Sequence, residues 1–361
     1  MFYDKINIQL FAEAGTLVNA TGNYVNAYDG TTQAFDAANS LSGELKTFYD
    51  TELLENARVE MFYAQFAKKQ RLPANHGTTV EWRKWNTFAK AGMLQEGVIP
   101  TGQKFGMSSK TGSINQYGTY AAVSDKLELR AYDDVSLGAT EEMGASAAET
   151  QETLIRDGLL VNTNVLYCDN ITLATGDVAG ATPTSCAQME ASTTVMCLLT
   201  PDSVAKAVTI MKKNRVPTIN GKYYAVIHPS VAYDLRKSKE WIEAHKYSAT
   251  SEIFNGEIGE LHGCRFIENV FAPILGGDYK NKAGTVTYAT YFFGKDAFGI
   301  IDPEGGALEM IVKDKSQVGG PLNQFSTIGY KFETNGVTIL YAERVLRVMS
   351  CSSFSGTDQA N

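Results

Sequence analysis

The sequence is poor in the residues from which catalytic and metal sites are built. Only four histidines occur in 361 residues, and none forms an HxxxH or HExxH pattern. There is no GxSxG nucleophile turn, no GxxxxGK[ST] phosphate loop and no CxxC pair. His262 and Cys264 can share one face of a strand, but a zinc site needs two further ligands, and none is close in sequence. We therefore expect no catalytic residue, no cofactor and no metal, and an enzyme with a scattered site is kept as an alternative.

Other features are missing as well. Lys and Arg number 32 against 40 Asp and Glu, a formal net charge of -8, so the basic excess of a nucleic-acid-binding domain is absent. The five cysteines are odd in number and unpaired in pattern, which indicates reduced thiols in a cytosolic setting. No apolar run reaches the roughly 18 residues of a membrane span, and the N-terminus does not read as a secretory signal.

What is present begins with an extended N-terminal region. Residues 13–41 are rich in Ala, Gly, Asn, Thr and Ser and show little periodicity, which predicts an arm. The spacing of apolar residues over 42–70 predicts a helix, which Pro73 ends.

Two β-like runs follow, at 78–85 and 106–129. They are joined by LQEGVIPTGQKF, whose glycines and proline indicate an irregular turn. The first run is amphipathic on both faces, which suits an exposed hairpin. An isolated hairpin is at best marginally stable in water, so we expect another copy of the chain to cover it.

A long helix is predicted over about 133–167, as either a core helix or a spine flanked by sheets. Residues 169–199 are predicted to be a connecting loop with a short strand. From Thr200 the pattern becomes α/β, starting with a helix that Thr200 caps and Pro201 opens. Near the C-terminus, Thr334-Asn335-Gly336 predicts the turn of a final hairpin.

The order of these parts resembles that of tailed-phage major capsid proteins with the Hong Kong 97 type fold. RLPANHGTTVEWRKW, LQEGVIPTGQ, HPSVAYDLRKS, GEIGELHGCRFIENVFAP and VTILYAERVLRV look like segments of the N4-like major capsid family. The resemblance covers about residues 40–350. It implies an α+β fold with these parts: N-terminal arm, 1–41; N-terminal helix region, 42–77; extended loop, 78–128; peripheral domain with the spine helix, 129–199; α/β axial domain, 200–330; returning peripheral strands and C-terminal tail, 331–361.

The same resemblance implies a function. Hexamers and pentamers of the chain would form an icosahedral shell around a double-stranded DNA genome, without sequence-specific DNA binding or a membrane. The implied partners are the chain itself and scaffolding, portal and decoration proteins. Assembly in the host cytoplasm and residence in the virion follow. An encapsulin-like nanocompartment shell is the alternative.

The resemblance also gives the turn-rich segment a role. It would be the tip of the extended loop, lying over a neighbouring subunit, although a solvated turn without a partner stays open. The predicted inter-subunit contacts are Trp82, Trp85, Leu94, Glu96, Gly97 and Pro100. Some relatives form Lys–Asn crosslinks between subunits, but nothing singles out one lysine among Lys84, Lys90, Lys104 and Lys110.

The N-terminal segment INIQLFAEAG resembles the processed peptide of head proteins from phages of Gram-positive bacteria. By that resemblance, a protease would cut between Ala12 and Glu13. A plain amphipathic arm is the alternative.

Overall fold

The structure is a computed structural model with two units, residues 1–57 and 58–361. It describes residues 23–25, 32–34, 62–93, 96–97, 99, 102–131, 135–245, 257–275, 285–306, 308–318 and 322–361. In the first unit, β1 (Asn23–Val25) pairs antiparallel with β2 (Thr32–Ala34). Most of the predicted arm and of the helix at 42–70 lies outside the described residues.

The second unit mixes helices and strands in an α+β fold. Its strands are β3 (Lys68–Leu72), β4 (Thr79–Trp85), β5 (Met107–Ser113), β6 (Asn115–Ser124), β7 (Val165–Tyr167), β8 (Asn170–Thr172), β9 (Val195–Cys197), β10 (Tyr223–Ile227), β11 (Glu257–Leu261), β12 (Cys264–Glu268), β13 (Ile274–Leu275), β14 (Thr287–Phe293), β15 (Phe298–Pro303), β16 (Glu309–Lys313), β17 (Phe325–Thr334), β18 (Thr338–Ile339) and β19 (Val345–Ser350). Its α-helices are α1 (Asp125–Arg130), α2 (Val135–Leu159), α3 (Pro201–Lys213), α4 (Pro229–Lys237), α5 (Lys239–His245) and α6 (Lys315–Val318).

The largest sheet has seven strands within the described residues, in the order β11-β12-β10-β14-β19-β7, with β13 beside β14. Strand β14 reads TYATYFF and is buried at every position, as a central strand covered on both faces must be. Helix α3 begins as predicted: the Thr200 hydroxyl accepts a hydrogen bond from the Ser203 amide, and Pro201 occupies the first turn. The buried side of α3 joins the main core cluster with residues from this sheet.

Helix α2 is the longest described element, with 25 residues. It spans about 37 Å at about 1.5 Å per residue. Ala147 of α2 packs against Tyr330 and Phe332 of β17, the central strand of a three-stranded sheet in the order β16-β17-β6. The predicted helix ran on to residue 167, which is wrong, because α2 ends at Leu159 and the chain then enters β7. Just after that end, the Asn162 side chain donates to the Val345 carbonyl at 2.6 Å.

The end of the predicted helix at 42–70 is also wrong. A short 3-10 helix, Tyr63–Phe66, leads directly into β3, which pairs in parallel with β15. Phe66 stacks on Phe293 at 5.1 Å between ring centroids. These tertiary contacts outweigh the local helical propensity of the segment.

The second β-like run, 106–129, is really three elements. Strand β5 pairs with β4, β6 pairs with β17, and the last residues form α1. Ser124 caps α1 by accepting a hydrogen bond from the Leu127 amide.

The hairpin predicted near the C-terminus does not form, and that prediction is wrong. Strand β17 pairs with β6 and β16, β18 pairs with β15, and β19 lies between β14 and β7. Asn335 does not turn the chain back on itself. Instead its side chain accepts from the Ile301 amide at 2.8 Å and donates to the Thr338 hydroxyl at 3.0 Å. The two strands of the predicted hairpin therefore belong to different sheets: β17 to the three-stranded sheet with β6 and β16, and β19 to the seven-stranded sheet.

Candidate assembly surface

An extended hairpin carries most of the residues that the sequence singled out. Strands β4 and β5 pair in antiparallel register from Thr79 opposite Ser113 to Trp85 opposite Met107. The predicted pairing of the first run with the second is confirmed only for the part of the second run that forms β5. Nearly every side chain of β5 is exposed. The hairpin thus has little core of its own.

Trp82 attaches the root of the hairpin to the rest of the second unit. A Cβ atom at Gly299 would lie 2.8 Å from Trp82 Cζ2, and one at Gly112 would lie 2.9 Å from Cζ3. The indole ring therefore sits directly against two glycines, where no side chain fits. Its Nε1 is buried and has no hydrogen-bond partner in the described part of the chain. Trp82, half-buried, packs largely within its own subunit.

At the far end of the two strands, three aromatic rings form an exposed stack that we call the aromatic tip: Trp85, which is the last residue of β4, Phe88 and Phe105. The Phe105 ring lies 4.1 Å from that of Trp85 and 5.3 Å from that of Phe88, close to parallel with both. Between 53% and 60% of each residue remains accessible to solvent. Stacked rings left in water are an unusual feature of an isolated soluble protein and typical of an interface.

The sequence pointed to Trp85 but missed Phe88 and Phe105. A signal existed, because Phe105 is the last residue of the turn-rich segment and Phe88 lies six residues before that segment begins. Within that segment Glu96 and Gly97 are exposed, and Gly97 has a φ of 80°, a conformation that suits glycine. Leu94, Pro100, Ala12 and Glu13 lie outside the described residues.

A basic cleft of about 650 Å³ lies beside the root of the hairpin. Lys84 lies 4.6 Å from the Tyr341 ring centroid, and the Arg344 guanidinium lies 3.7 Å from it. Lys68 and Lys110 also line this cleft. The Ser109 hydroxyl, followed by the Arg83 guanidinium, lowers the pKa of Glu81 nearby. Four cationic side chains against two carboxylates give the lining of the cleft a net positive charge, which suits an anionic group.

The histidines and cysteines that could have formed a reactive site are either buried or not grouped with one another. His262 is exposed in the turn between β11 and β12, whereas Cys264 is fully buried, so the two do not form a shared site. His228 Nδ1 accepts a hydrogen bond from the Ser230 amide at the start of α4, which is a capping role. All five cysteines are free and buried. Among the described residues, no three His, Cys, Asp or Glu side chains are grouped as metal ligands would be.

No helix in the described ranges combines the length and apolarity that crossing a membrane requires.

One buried carboxylate is unusual. Glu152 of α2 is completely buried and accepts hydrogen bonds through Oε1 from the Phe62 and Tyr63 amides and from Asn269 Nδ2. Burial raises the pKa of Glu152 above its usual value, although these hydrogen bonds and the Arg156 charge act against that shift. The contacts tie three separate segments together, which is a structural role.

Comparisons with known protein families find a match for this chain. Residues 108–339 match the family model described as phage capsid protein, well over half of the chain. No curated protein sequence matches significantly.

Among solved structures, the chain is similar to the capsid of cyanophage P-SCSP1u, with 15% identity, a TM-score of 0.60, and 86% of this chain and 93% of that one covered. It is also similar to the capsid of cyanophage Pam1, with 12% identity, a TM-score of 0.62, and coverage of 87% and 98%. The chain is also similar to the capsid of Ralstonia phage GP4, with 14% identity and a TM-score of 0.58. The match covers 89% of this chain and 98% of that one.

Proposed function

The chain belongs to the phage capsid protein family, and we propose that it is the major head protein, whose copies assemble as hexamers and pentamers into an icosahedral shell around double-stranded DNA. The observation that carries this proposal is the family match over residues 108–339 together with an exposed hairpin that ends in stacked aromatic rings. No residue is assigned a catalytic, cofactor or metal role. Family membership favours a phage head over an encapsulin-like compartment.

The same proposal covers the subfamily, the arrangement of the fold, the domain division, the processing and the partners. The chain is of the N4-like kind, with the Hong Kong 97 type arrangement in which α2 is the spine helix and the β4–β5 hairpin is the extended loop. The long α2 packed on a three-stranded sheet supports that arrangement. The division at residues 41, 77, 128, 199 and 330 is retained, as is cleavage between Ala12 and Glu13. Scaffolding, portal and decoration proteins are its partners, assembly takes place in the host cytoplasm, and the mature protein resides in the virion.

In this proposal the aromatic tip is an inter-subunit contact. More than half of each of the three rings is exposed, on the order of 100 Å² per ring. Burying that area against a neighbour contributes up to about 2–3 kcal/mol per ring before the entropy of association is subtracted. Each copy offers only a modest contact, but a closed lattice repeats it at every subunit.

The experiment removes two rings of the tip. The Trp85→Ala, Phe105→Ala double variant is expressed with the other head genes, and particles are counted by electron microscopy after gradient sedimentation. We expect folded subunits or capsomers and at least a tenfold loss of closed shells. Leu129→Ala, which trims an exposed apolar side chain on α1, is the matched control. Shells at the wild-type yield from the double variant would contradict a role for the tip.

A further inference from the structure

The basic cleft beside the root of the hairpin gathers lysines from three strands. Lys68 lies in β3, Lys84 in β4 and Lys110 in β5, and all three line the same cleft of about 650 Å³. Strand β3 pairs with β15, whereas β4 and β5 form the extended hairpin. The cleft therefore lies between the hairpin and the sheet that the root of the hairpin contacts.

The register of the strands explains why these side chains converge. Trp82 is directly opposite Lys110, and Lys84 follows two residues after Trp82, so all three side chains lie on one face of the hairpin. That face turns towards β15, because the Trp82 ring packs against Gly299. Gly299 is opposite Lys68 in the parallel pair of β15 and β3, which places the Lys68 side chain on the face that meets the indole. The lysines thus enter the cleft from both of its sides.

The charges in and beside the cleft do not balance. Arg83 and Glu81, which also line it, pair with each other at 3.1 Å. Glu343 is the other carboxylate of the lining, so three lysines against one carboxylate leave an excess of two positive charges. Arg344 lies beside the cleft and adds positive charge, while its Nη1 donates to the Lys295 carbonyl. None of the three lysine ammonium groups makes a hydrogen bond or an ion pair with a described residue.

We propose that the basic cleft binds a phosphate group that bridges the lysine of β3 and the two lysines of the hairpin. A phosphate monoester carries about 1.5–2 negative charges at pH 7 and three strong acceptor oxygens, which matches the excess charge and the three donors. A carboxylate offers a single charge and two oxygens. The half-buried Trp82 ring forms an apolar wall, which strengthens the attraction by lowering the local dielectric constant.

The bound phosphate group has a structural consequence. Like charges on the two sides of the cleft repel one another, and a shared anion converts that repulsion into attraction. It therefore holds the root of the extended hairpin against the rest of the second unit.

Two sources can supply this chemistry: free phosphate or pyrophosphate, and the backbone phosphates of nucleic acid. The inference goes beyond the proposed function and does not depend on it, because binding is measured on dispersed subunits or capsomers of the full chain. Failure of the phosphate site leaves the assembly proposal as it stands.

The probes are inorganic pyrophosphate and a short DNA duplex, and binding is measured by calorimetry. The three variants Lys68→Gln, Lys84→Gln and Lys110→Gln each remove one charge from the cleft. The matched control is Lys69→Gln, because Lys69 is exposed, follows Lys68 in the same strand and lies on the opposite side of it.

We expect each cleft variant to weaken pyrophosphate binding by about fivefold, as for the loss of a partly exposed charge-assisted contact, and the control to bind as wild type does. If DNA is the source, duplex affinity falls in the same three variants, and the slope of log K against log salt becomes shallower by about 0.9 per lysine removed. Duplex affinity that is unchanged in these variants assigns the cleft to the free anion. Equal pyrophosphate and duplex affinities in the cleft variants and the control, or no binding of either probe to wild type, would overturn the proposal.

Thermal unfolding gives an independent result. Without phosphate, Lys68→Gln and Lys110→Gln relieve the repulsion in the cleft, so we expect their Tm to equal or exceed that of wild type. With saturating pyrophosphate, wild type and Lys69→Gln gain more in Tm than the cleft variants do. A rise in Tm that is the same for wild type and the cleft variants would place the anion elsewhere and overturn the assignment.

Discussion

Glu152 gives the sharpest test of how the subunit is held together. Its Oε1 accepts hydrogen bonds from the Phe62 amide at 3.0 Å, the Tyr63 amide at 3.3 Å and Asn269 Nδ2 at 3.0 Å. These donors come from the segment before β3 and from the loop after β12. Oε2 is buried with no hydrogen-bond partner in the described part of the chain. One carboxylate oxygen thus joins both segments to α2.

Two substitutions of Glu152 distinguish the contribution of its hydrogen-bond acceptor from that of its negative charge. Glu152→Ala leaves three buried donors unpaired, at about 1–3 kcal/mol each. Losses at shared sites are not additive, so we expect a total of about 3–5 kcal/mol. That corresponds to a fall in Tm of roughly 6–10 °C, at roughly 2 °C per kcal/mol. Glu152→Gln keeps a carbonyl oxygen and removes the charge, so its stability stays within about 1 kcal/mol of wild type at neutral pH.

The pH dependence has a definite sign. The pKa of Glu152 in the folded protein is raised above the usual 4.5, chiefly because burial disfavours the ionised form. The folded state therefore holds its proton more tightly than the unfolded state does. Wild type loses stability relative to Glu152→Gln as the pH rises from about 4.5 through the folded-state pKa, by at most about 1.4 kcal/mol per pH unit. Below about pH 4.5 the difference becomes constant.

The assay is thermal unfolding of dispersed subunits or capsomers between pH 4 and 8. Glu149→Ala is the control, since Glu149 is exposed on the same helix and is expected to change the free energy of unfolding by less than about 0.5 kcal/mol. Unfolding of Glu152→Ala at the same temperature as Glu149→Ala would show that the Glu152 hydrogen bonds do not stabilise the subunit. A gain in stability of wild type over Glu152→Gln with rising pH would show that the pKa of Glu152 is not raised.

Two further predictions concern α2 and the thiols. Gly144→Ala meets no atom within 4 Å and should stabilise the protein by up to about 1 kcal/mol, whereas Gly158→Ala places a Cβ atom 2.8 Å from Val337 Cβ and should cost about 1–3 kcal/mol. Equal shifts in Tm for the two variants would contradict this packing. Burial raises the pKa of the Cys351 thiol to about 12, and all five cysteines are buried, so a thiol-reactive dye should label less than one cysteine per native chain and all five after denaturation. Rapid labelling of the native protein would show that these thiols are accessible.

Local signals predicted part of the fold well. The start of α3 follows from Thr200 and Pro201, and the β4–β5 hairpin follows from alternation on both sides of a glycine-rich turn. Both depend on contacts between residues near one another in sequence. Strand β17 pairs with the distant β6, and β19 pairs with the distant β14, instead of with each other. The turn signal at Thr334-Asn335-Gly336 was misleading, because tertiary pairing decides which sheet each strand joins.

In the candidate site, too, local sequence signals predicted some residues and missed those that depend on distant contacts. Trp85 was identified as an exposed aromatic residue, but the stack also needs Phe88 and Phe105, and it forms only when the hairpin brings both ends of the segment together. Glu152 was missed, although it lies three and seven residues before the buried Ile155 and Leu159 and so shares their side of α2. Its position on the apolar side of the helix was a sequence signal that could have identified Glu152 as a buried charge. Its three hydrogen-bond donors are at least 89 residues away, which no local pattern reveals.

Assembly of this chain into a shell can be seen directly in a cryo-electron microscopy reconstruction of the particles formed when the chain is expressed with its neighbouring head genes. We expect closed icosahedral shells built of hexamers and pentamers, with each β4–β5 hairpin lying across an adjacent copy and its aromatic tip buried there. A chain that stays monomeric under those conditions, or shells in which the tip remains in solvent, would contradict it.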